Sequence, residues 1–331
     1  MIVLIKQYPQ LISLGVLLIL TIALLWLIQH LMIRYGKRLL GLISCGELWL
    51  RGRIARLPLM VRLQRKYPTL FGFITQRFAR GHFSGLILTI LTLLNIYTLA
   101  LFAGLVEDIV EADSIVTTDL FVSHHMSVLQ DSSIVPAFVS ITSLGSTPIT
   151  CFIILLTAIL CAVMRQPYIL VGLLISTIGS TAFTFLSKMV FQRTRPIDIL
   201  LMEHTYSFPS GHATISIALY GFLAYLAIRF SQRFTRQVRI LSTAVLLCLL
   251  IGLSRIVLNE HYLSDVTGGF LVGTLWLMIA ISMTEWLTAR GKIDWRIIWS
   301  APQRYMVWFS VVAVLVATFV YATVYQFPLL G

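Results

Sequence analysis

Long apolar runs alternate with shorter polar segments along the whole chain. Each run holds roughly 20 residues, which is enough for a helix to cross the roughly 30 Å of hydrocarbon in a bilayer. The pattern predicts an all-α, polytopic membrane helical bundle with eight spans, near residues 10–33, 84–106, 136–163, 168–187, 213–229, 239–258, 263–284 and 305–326. The first run lacks a small-residue cleavage site, so we expect an uncleaved span there.

Composition favours the same class of protein. Of the 331 residues, 58% are hydrophobic and only 11% are charged, which does not suit one soluble core. The net charge of +12 would suggest a nucleic-acid partner for a soluble protein, but in a membrane protein its distribution over the loops matters more. We expect no nucleic acid. The four cysteines form no spaced pair, so neither a disulfide framework nor a thiolate metal site is expected.

The basic residues concentrate in one long segment, residues 34–82, where many Lys and Arg accompany the single acid Glu47. By the positive-inside rule this segment is predicted to be cytoplasmic. Trp49 and Phe71 lie among its arginines, as in an interfacial helix. We therefore expect it to set the topology and to bind anionic lipid headgroups.

The next segment, residues 107–135, has no Lys or Arg and is predicted to face the other side of the membrane. Alternation then places residues 188–212 on that outer side as well. Lys188, Arg193 and Arg195 lie there against the rule, so these cations need a role other than topology. The acidic residues of the outer segment are Glu107, Asp108, Glu111, Asp113, Asp119 and Asp131.

The first candidate motif pairs Lys188 with Arg195, which is followed by Pro196. If the span ending near 187 continues as a helix, seven residues make about two turns and both cations lie on one face. An Arg fork and a Lys point charge would then bind one phosphate. The alternative is a pair of cations that anchor the span at the membrane boundary.

The second motif, Pro209-Ser210-Gly211-His212, comes just before a span. Its backbone N–H groups would lie at a helix N-terminus, where the helix dipole favours an anion. Ser210 adds a donor, Gly211 allows close approach, and His212 would deliver a proton to a leaving oxygen. The alternative is a Ser N-cap followed by a histidine at the start of the helix.

The third motif combines Ser254-Arg255 with His261 and Asp265. The last two are four residues apart and are predicted to share one face of a helix. Asp265 would orient the imidazole and leave its other nitrogen free to attack phosphorus. A structural His–Asp hydrogen bond or half of a metal site is the alternative. Three residues adjoining the motifs are expected to be solvated loop residues, and the alternative is that they tune specificity or the two motif histidines: Glu203, His204 and Glu260.

Taken together, K-x6-R-P, P-S-G-H and S-R-x5-H-x3-D resemble the signature of the type 2 phosphatidic acid phosphatase (PAP2) superfamily. All of the motif positions are filled in order, and the resemblance covers about residues 84–286. It implies a six-helix PAP2-like core plus about two extra transmembrane helices. It also implies metal-independent removal of a phosphate from a lipid, with no cofactor.

The resemblance further implies a role for each motif residue. His261 would be the nucleophile that forms a phosphohistidine, Asp265 its orienting partner and His212 the acid for the leaving group. The phosphate oxygens would be held by Lys188, Arg195, Ser210, Gly211 and Arg255. The site is expected on the periplasmic or extracytoplasmic side of the cell membrane.

Three parts of the chain are predicted: residues 1–83 with the first span and the basic segment, the core at 84–286, and residues 287–331 with the last span. Sequence leaves the substrate open among phosphatidic acid, phosphatidylglycerol phosphate, a polyprenyl diphosphate and a lipid A-type glycolipid. A lipid phosphotransferase and a non-enzymatic carrier of anionic lipids remain as alternatives, and the oligomeric state is open. A carrier needs the cations but not a histidine oriented by a carboxylate.

Overall fold

The structure, a computed structural model, describes residues 9–55, 57–77, 85–130, 132–197, 199–200, 205–296 and 299–324. Every element of regular secondary structure in these ranges is a helix. In chain order they are α1 (Pro9–Ala55), α2 (Pro58–Lys66), α3 (Pro68–Arg77), α4 (Leu86–Val110), α5 (Ser114–Ser127), α6 (Val135–Ser143), α7 (Thr147–Val163), α8 (Ile169–Phe191), α9 (Gly211–Phe230, with a π-helical turn at Ser216–Tyr220), α10 (Phe234–Val257), α11 (Leu263–Ala289) and α12 (Ala301–Val324).

Within these ranges, eight helical stretches are long and apolar enough to cross a membrane. This confirms the predicted all-α bundle and its number of spans. The first is longer than predicted, because α1 continues through the start of the basic segment. The third consists of α6 and α7, which break at Leu144–Ser146. The division of the chain at 83 and 286 remains a prediction, and α11 extends three residues past the second boundary.

The break between α6 and α7 has a packing reason. A Cβ at Gly145 would lie 2.9 Å from the imidazole Cδ2 of His212, so the break lets α9 approach the chain closely. Ser146 and Pro148 restart the helix, with proline in its first turn, where its missing N–H is tolerated. A local interruption in the third span thus makes room for a residue of the second motif.

Helix α11 is the centre of the bundle and packs against α4, α8 and α9. Small residues permit the contacts, as is usual between membrane helices. On α8 a seam with four-residue spacing faces inward and ends at the site, through Gly172, Ser176, Ser180, Thr184 and Lys188. Ser176 Oγ donates to the Ala218 carbonyl at 2.7 Å across this seam. The helical period that buries the seam therefore also points Lys188 into the bundle.

The two flanking spans lie at the periphery, α1 against α10 and α12 against α6 and α7. Their outward side chains are exposed, for example Leu20 and Phe319. Because successive core spans run in opposite directions, the ends of α4, α8 and α10 and the starts of α9 and α11 lie at one end of the bundle. Helix α5 packs on α10 and α11 at that same end.

Candidate active site

Lys188 and Arg195 converge on Thr205, although they do not lie on one helix. Helix α8 ends before Gln192, which takes a left-handed conformation with φ 45°, so the helix does not continue to Arg195. Lys188 Nζ donates to Thr205 Oγ1 at 3.5 Å and to the carbonyl oxygen of Tyr206. Arg195 donates to the Thr205 carbonyl at 2.8 Å and to its Oγ1 at 3.1 Å. A turn, and not a helical repeat, brings the two cations together.

The two nitrogens of His261 face different groups. Nδ1 lies 3.5 Å from Asp265 Oδ2 and 3.3 Å from Ser207 Oγ, while Nε2 lies 3.4 Å from Arg195 Nη1. His261 precedes α11, whose N-cap is Tyr262, so the predicted shared helix face is wrong. Asp265 accepts the Tyr262 N–H at 2.9 Å, as the third residue of a capping box does. The capping geometry brings the carboxylate back towards His261.

Glu260 lies between two of the predicted phosphate-binding arginines. Its Oε2 is 3.8 Å from Arg195 Nη1 and 3.8 Å from Arg255 Nη2, and its side chain is fully buried. Arg255 also donates to Thr142 Oγ1 at 3.2 Å. A buried carboxylate offsets the repulsion between neighbouring buried cations. The expectation that Glu260 is a solvated loop residue is therefore wrong. The same expectation for Glu203 and His204 concerns residues outside the described ranges.

The second motif starts α9 directly beside α11. The Ser210 N–H donates to the Asp265 carbonyl at 2.9 Å, which fixes this segment against the third motif. Ser210 is the N-cap residue, but its side chain makes no cap hydrogen bond. Its hydroxyl is buried and has no hydrogen-bond partner among the described residues, which calls for a ligand or a water. A Cβ at Gly211 would meet nothing within 4 Å, so the backbone there is open.

His212 lines a cavity of about 600 Å³ between α7, α8 and α9. Cys151, Ile178 and Phe185 contribute to its walls and are also exposed on the membrane-facing surface of the bundle. Threonines supply most of the remaining polar lining: Thr147, Thr150, Thr177, Thr181, Thr184 and Thr214. The cavity therefore joins the lipid-facing side of the spans to an imidazole of the second motif.

Two further residues contact Asp265, and a third contacts one of these two; none of the three belongs to a motif. Arg193 donates to Asp265 Oδ1 at 2.6 Å and to Asp119 Oδ2 at 2.7 Å, and Ser207 Oγ donates to Asp265 Oδ2. Burial alone would lower the pKa of Arg193, but the carboxylates of Asp265 and Asp119 outweigh it and raise that pKa above its usual value. The sequence did give a signal for Arg193, because a cation on the predicted outer side of the membrane departs from the positive-inside rule. Asp119 was not distinguished from the other acidic residues of segment 107–135, and nothing in the sequence singled out Ser207.

Comparisons with known proteins point to one family. A model described as the PAP2 superfamily matches residues 169–289. Phosphatidylglycerophosphatase B of Bacillus subtilis (strain 168) is 31% identical over 102 residues, which are 30% of this chain. The match spans 49% of that relative, about half of its length.

A solved structure has a similar fold. It is the crystal structure of a transmembrane PAP2 type phosphatidylglycerolphosphate phosphatase from Bacillus subtilis, with a TM-score of 0.53. The two chains are 24% identical, and their alignment covers 58% of this chain and 96% of the solved one. At that identity the likeness concerns the fold.

Fold and site together define a polytopic helical membrane protein in which a buried arginine lies beside a histidine that is paired with a carboxylate. The three motifs that supply these groups, from Lys188 to Asp265, all fall within the residues matched by the family model. Residues 169–289 are therefore similar to the PAP2 superfamily in sequence, and the bundle is similar to a PAP2 structure in fold.

Proposed function

We propose that this protein is a lipid phosphatase that hydrolyses a phosphate ester of a membrane lipid through a phosphohistidine on His261. The orientation of its imidazole carries the proposal. Nδ1 is directed towards Asp265 and Ser207, which leaves Nε2 towards the cation Arg195. A protein that only carries anionic lipids needs the cations, but it has no use for a histidine oriented in this way.

The phosphate would lie among the side chains of Lys188, Arg195 and Arg255 and the hydroxyl of Ser210. Arg195 and Arg255 have side chains that are 7% and 0% exposed, so their charges are little screened by solvent. Phosphoryl transfer spreads negative charge over the equatorial oxygens, and fixed cations and donors stabilise that charge. The Ser210 hydroxyl, which has no hydrogen-bond partner among the described residues, would donate to one of these oxygens.

In the first step the lone pair of His261 Nε2 would attack phosphorus as the bond from phosphorus to the lipid oxygen breaks. His212 would give its proton to that oxygen, so the lipid leaves as an alcohol. Asp265 would stabilise the positive charge on the imidazole. In the second step water attacks phosphorus, His212 takes back a proton, the phosphorus–nitrogen bond breaks and inorganic phosphate leaves.

A membrane lipid would reach His212 from the bilayer through the cavity between α7, α8 and α9. The cavity volume of about 600 Å³ is in the range of small-molecule sites. Its exposed wall residues would contact the chains of the lipid, which stay in the hydrocarbon. The headgroup alone then enters the cationic part of the site.

The site would act at the outer face of the membrane. Asp119 accepts a hydrogen bond from Arg193 in the site, and it belongs to the acidic segment, residues 107–135, which has no Lys or Arg. The acidic segment and the site therefore share one end of the bundle, and the positive-inside rule assigns that end to the outside. The basic segment 34–82 would lie at the cytoplasmic face and contact anionic headgroups.

The names of the similar proteins make phosphatidylglycerol phosphate the first substrate to test. Phosphate release is measured with purified protein in detergent on this lipid, phosphatidic acid, a polyprenyl diphosphate and a lipid A-type glycolipid. We expect release from at least one, and loss of release in His261→Ala. His124→Ala, at an exposed histidine of α5, is the matched control and should retain activity. Binding without release would contradict the proposal and favour a carrier or a transferase.

A further inference from the structure

A buried carboxylate from outside the three motifs contacts the start of α11. Asp119 lies on α5, 74 residues before Arg193, and is fully buried. Its Oδ1 accepts the Ser264 N–H at 2.9 Å, and its Oδ2 accepts from Arg193 Nη2 at 2.7 Å and from the Ser264 hydroxyl. A buried charge requires partners of this kind, and both oxygens have them.

Arg193 connects Asp119 to Asp265. Its Nη1 donates to Asp265 Oδ1 at 2.6 Å and to Ser264 Oγ at 2.6 Å, and its guanidinium stacks 4.6 Å from the ring centre of Tyr262. A planar guanidinium fork holds two carboxylates in a fixed relation, which a lysine ammonium does not. With one oxygen held by Arg193 and the other by the Tyr262 N–H, the Asp265 carboxylate cannot rotate freely.

Asp119 also sets the net charge of the cluster on the Nδ1 side of His261, while Arg195 lies on the Nε2 side. Arg193 paired with Asp265 alone would be neutral. Asp119 adds a second carboxylate, so the three ionised side chains carry one net negative charge in a place with little solvent screening. That charge stabilises a positive imidazole, which is the form that attack on phosphorus produces.

We propose that Asp119 and Arg193 are positioning residues: they fix the orientation of Asp265 and the net charge of the cluster that the three side chains form, and through Asp265 they affect the reactivity of His261. This inference rests on the proposed function. Asp119 lies outside the residues matched by the family model, and Arg193 is one of the six residues between Lys188 and Arg195 that the K-x6-R-P motif does not specify. The acidic segment before the matched domain therefore contributes to the site itself.

Steady-state kinetics of phosphate release from phosphatidylglycerol phosphate in dodecyl maltoside micelles test this inference. Asp119→Asn should lower kcat by about 10-fold to 100-fold, the size of effect known for groups that orient metal-binding histidines. KM should stay within about twofold, because the contacts with substrate are unchanged. Arg193→Lys should behave in the same way. The double variant should be about as slow as the slower single variant, since both act through Asp265.

A structural control separates positioning from simple docking of α5. Ser123 on α5 donates to Asn259 Oδ1 at 2.8 Å, so Ser123→Ala weakens the docking and leaves the charges near His261 unchanged. We expect Ser123→Ala to lower Tm and to retain kcat. Asp119→Asn should lower kcat by more than its loss of stability, measured as Tm, can explain. If Asp119→Asn does not accumulate as folded protein, Arg193→Lys keeps the positive charge and carries the same test.

Three results would overturn the inference. The first is a kcat of Asp119→Asn and Arg193→Lys within about twofold of the wild type, because losing the orientation of Asp265 should lower kcat by about 10-fold or more. The second is an equal loss of kcat in Ser123→Ala, which would indicate a purely structural role. The third is a wild type that releases phosphate from none of the lipids, which refutes the proposed function together with the inference. An active wild type with active variants refutes the inference alone.

Discussion

Gly269 of α11 packs closely against the second motif. A Cβ there would lie 2.6 Å from the Ser210 carbonyl oxygen and 2.9 Å from Ala213 Cβ. Ordinary contact begins near 3.4 Å, so Gly269→Ala must separate α9 from α11 by about 0.8 Å, the difference between 3.4 and 2.6 Å. The bond from the Ser210 N–H to the Asp265 carbonyl, now 2.9 Å, would lengthen to about 3.7 Å, beyond hydrogen-bond range.

The expected effect on catalysis is large. A displacement on the order of 1 Å between reacting groups lowers the rate by about 100-fold, and this substitution moves Ser210 and His212 relative to His261 by nearly that much. Overpacking of this kind lowers the free energy of unfolding by about 1–3 kcal/mol. We therefore predict that Gly269→Ala remains folded in detergent but loses about 100-fold in kcat.

Gly104→Ala on α4 is the matched control, because a Cβ at Gly104 would meet nothing within 4 Å. Both substitutions gain the helix propensity of alanine over glycine, about 1 kcal/mol, so the comparison isolates the contact with the second motif. The assay is phosphate release from a lipid phosphate, with Tm measured on the same samples. Equal kcat values in the Gly269→Ala and Gly104→Ala proteins would refute the reasoning about this contact.

Three other predictions concern access, topology and metal ions. Cys151→Trp should narrow the cavity beside His212 and raise KM, whereas Cys45→Trp on α1 should not; unchanged KM in both would argue against entry through this cavity. A reporter fused after Glu107 should be found outside and one after Arg233 inside, and the opposite result would place the site in the cytoplasm. A chelator should leave phosphate release unchanged, because the proposed phosphate site is lined by cations, which repel metal ions; loss of activity that a divalent ion restores would contradict this.

The spans could be predicted from sequence because hydrocarbon restricts the chain to long apolar helices. Loop charges then placed the three motifs at one end of the bundle before any contact was known. The same reasoning gave wrong local geometry at His261, which precedes α11, and at Arg195, which follows a turn at Gln192. Both errors come from extending a helical repeat across a helix end, where capping and left-handed residues determine the path of the chain.

Other parts of the site could not be read from sequence because they depend on contacts between distant residues. Asp119 reaches the site across 74 residues through the docking of α5. Glu260 is buried because two arginines from different segments surround it. Ser207 follows a segment without periodicity, so nothing in the pattern distinguishes it from other loop serines. For each of these residues the tertiary structure supplies the partner that the local sequence does not show.

The most direct test of the central claim is to trap the covalent intermediate. Wild-type protein is mixed with phosphatidylglycerol phosphate that carries a labelled phosphate, quenched rapidly with denaturant at alkaline pH, digested and mapped. We expect label on a peptide that contains His261, as a phosphohistidine, and no label in His261→Ala. Phosphate release without any labelled peptide, or label on another residue, would contradict the assignment of His261 as the nucleophile.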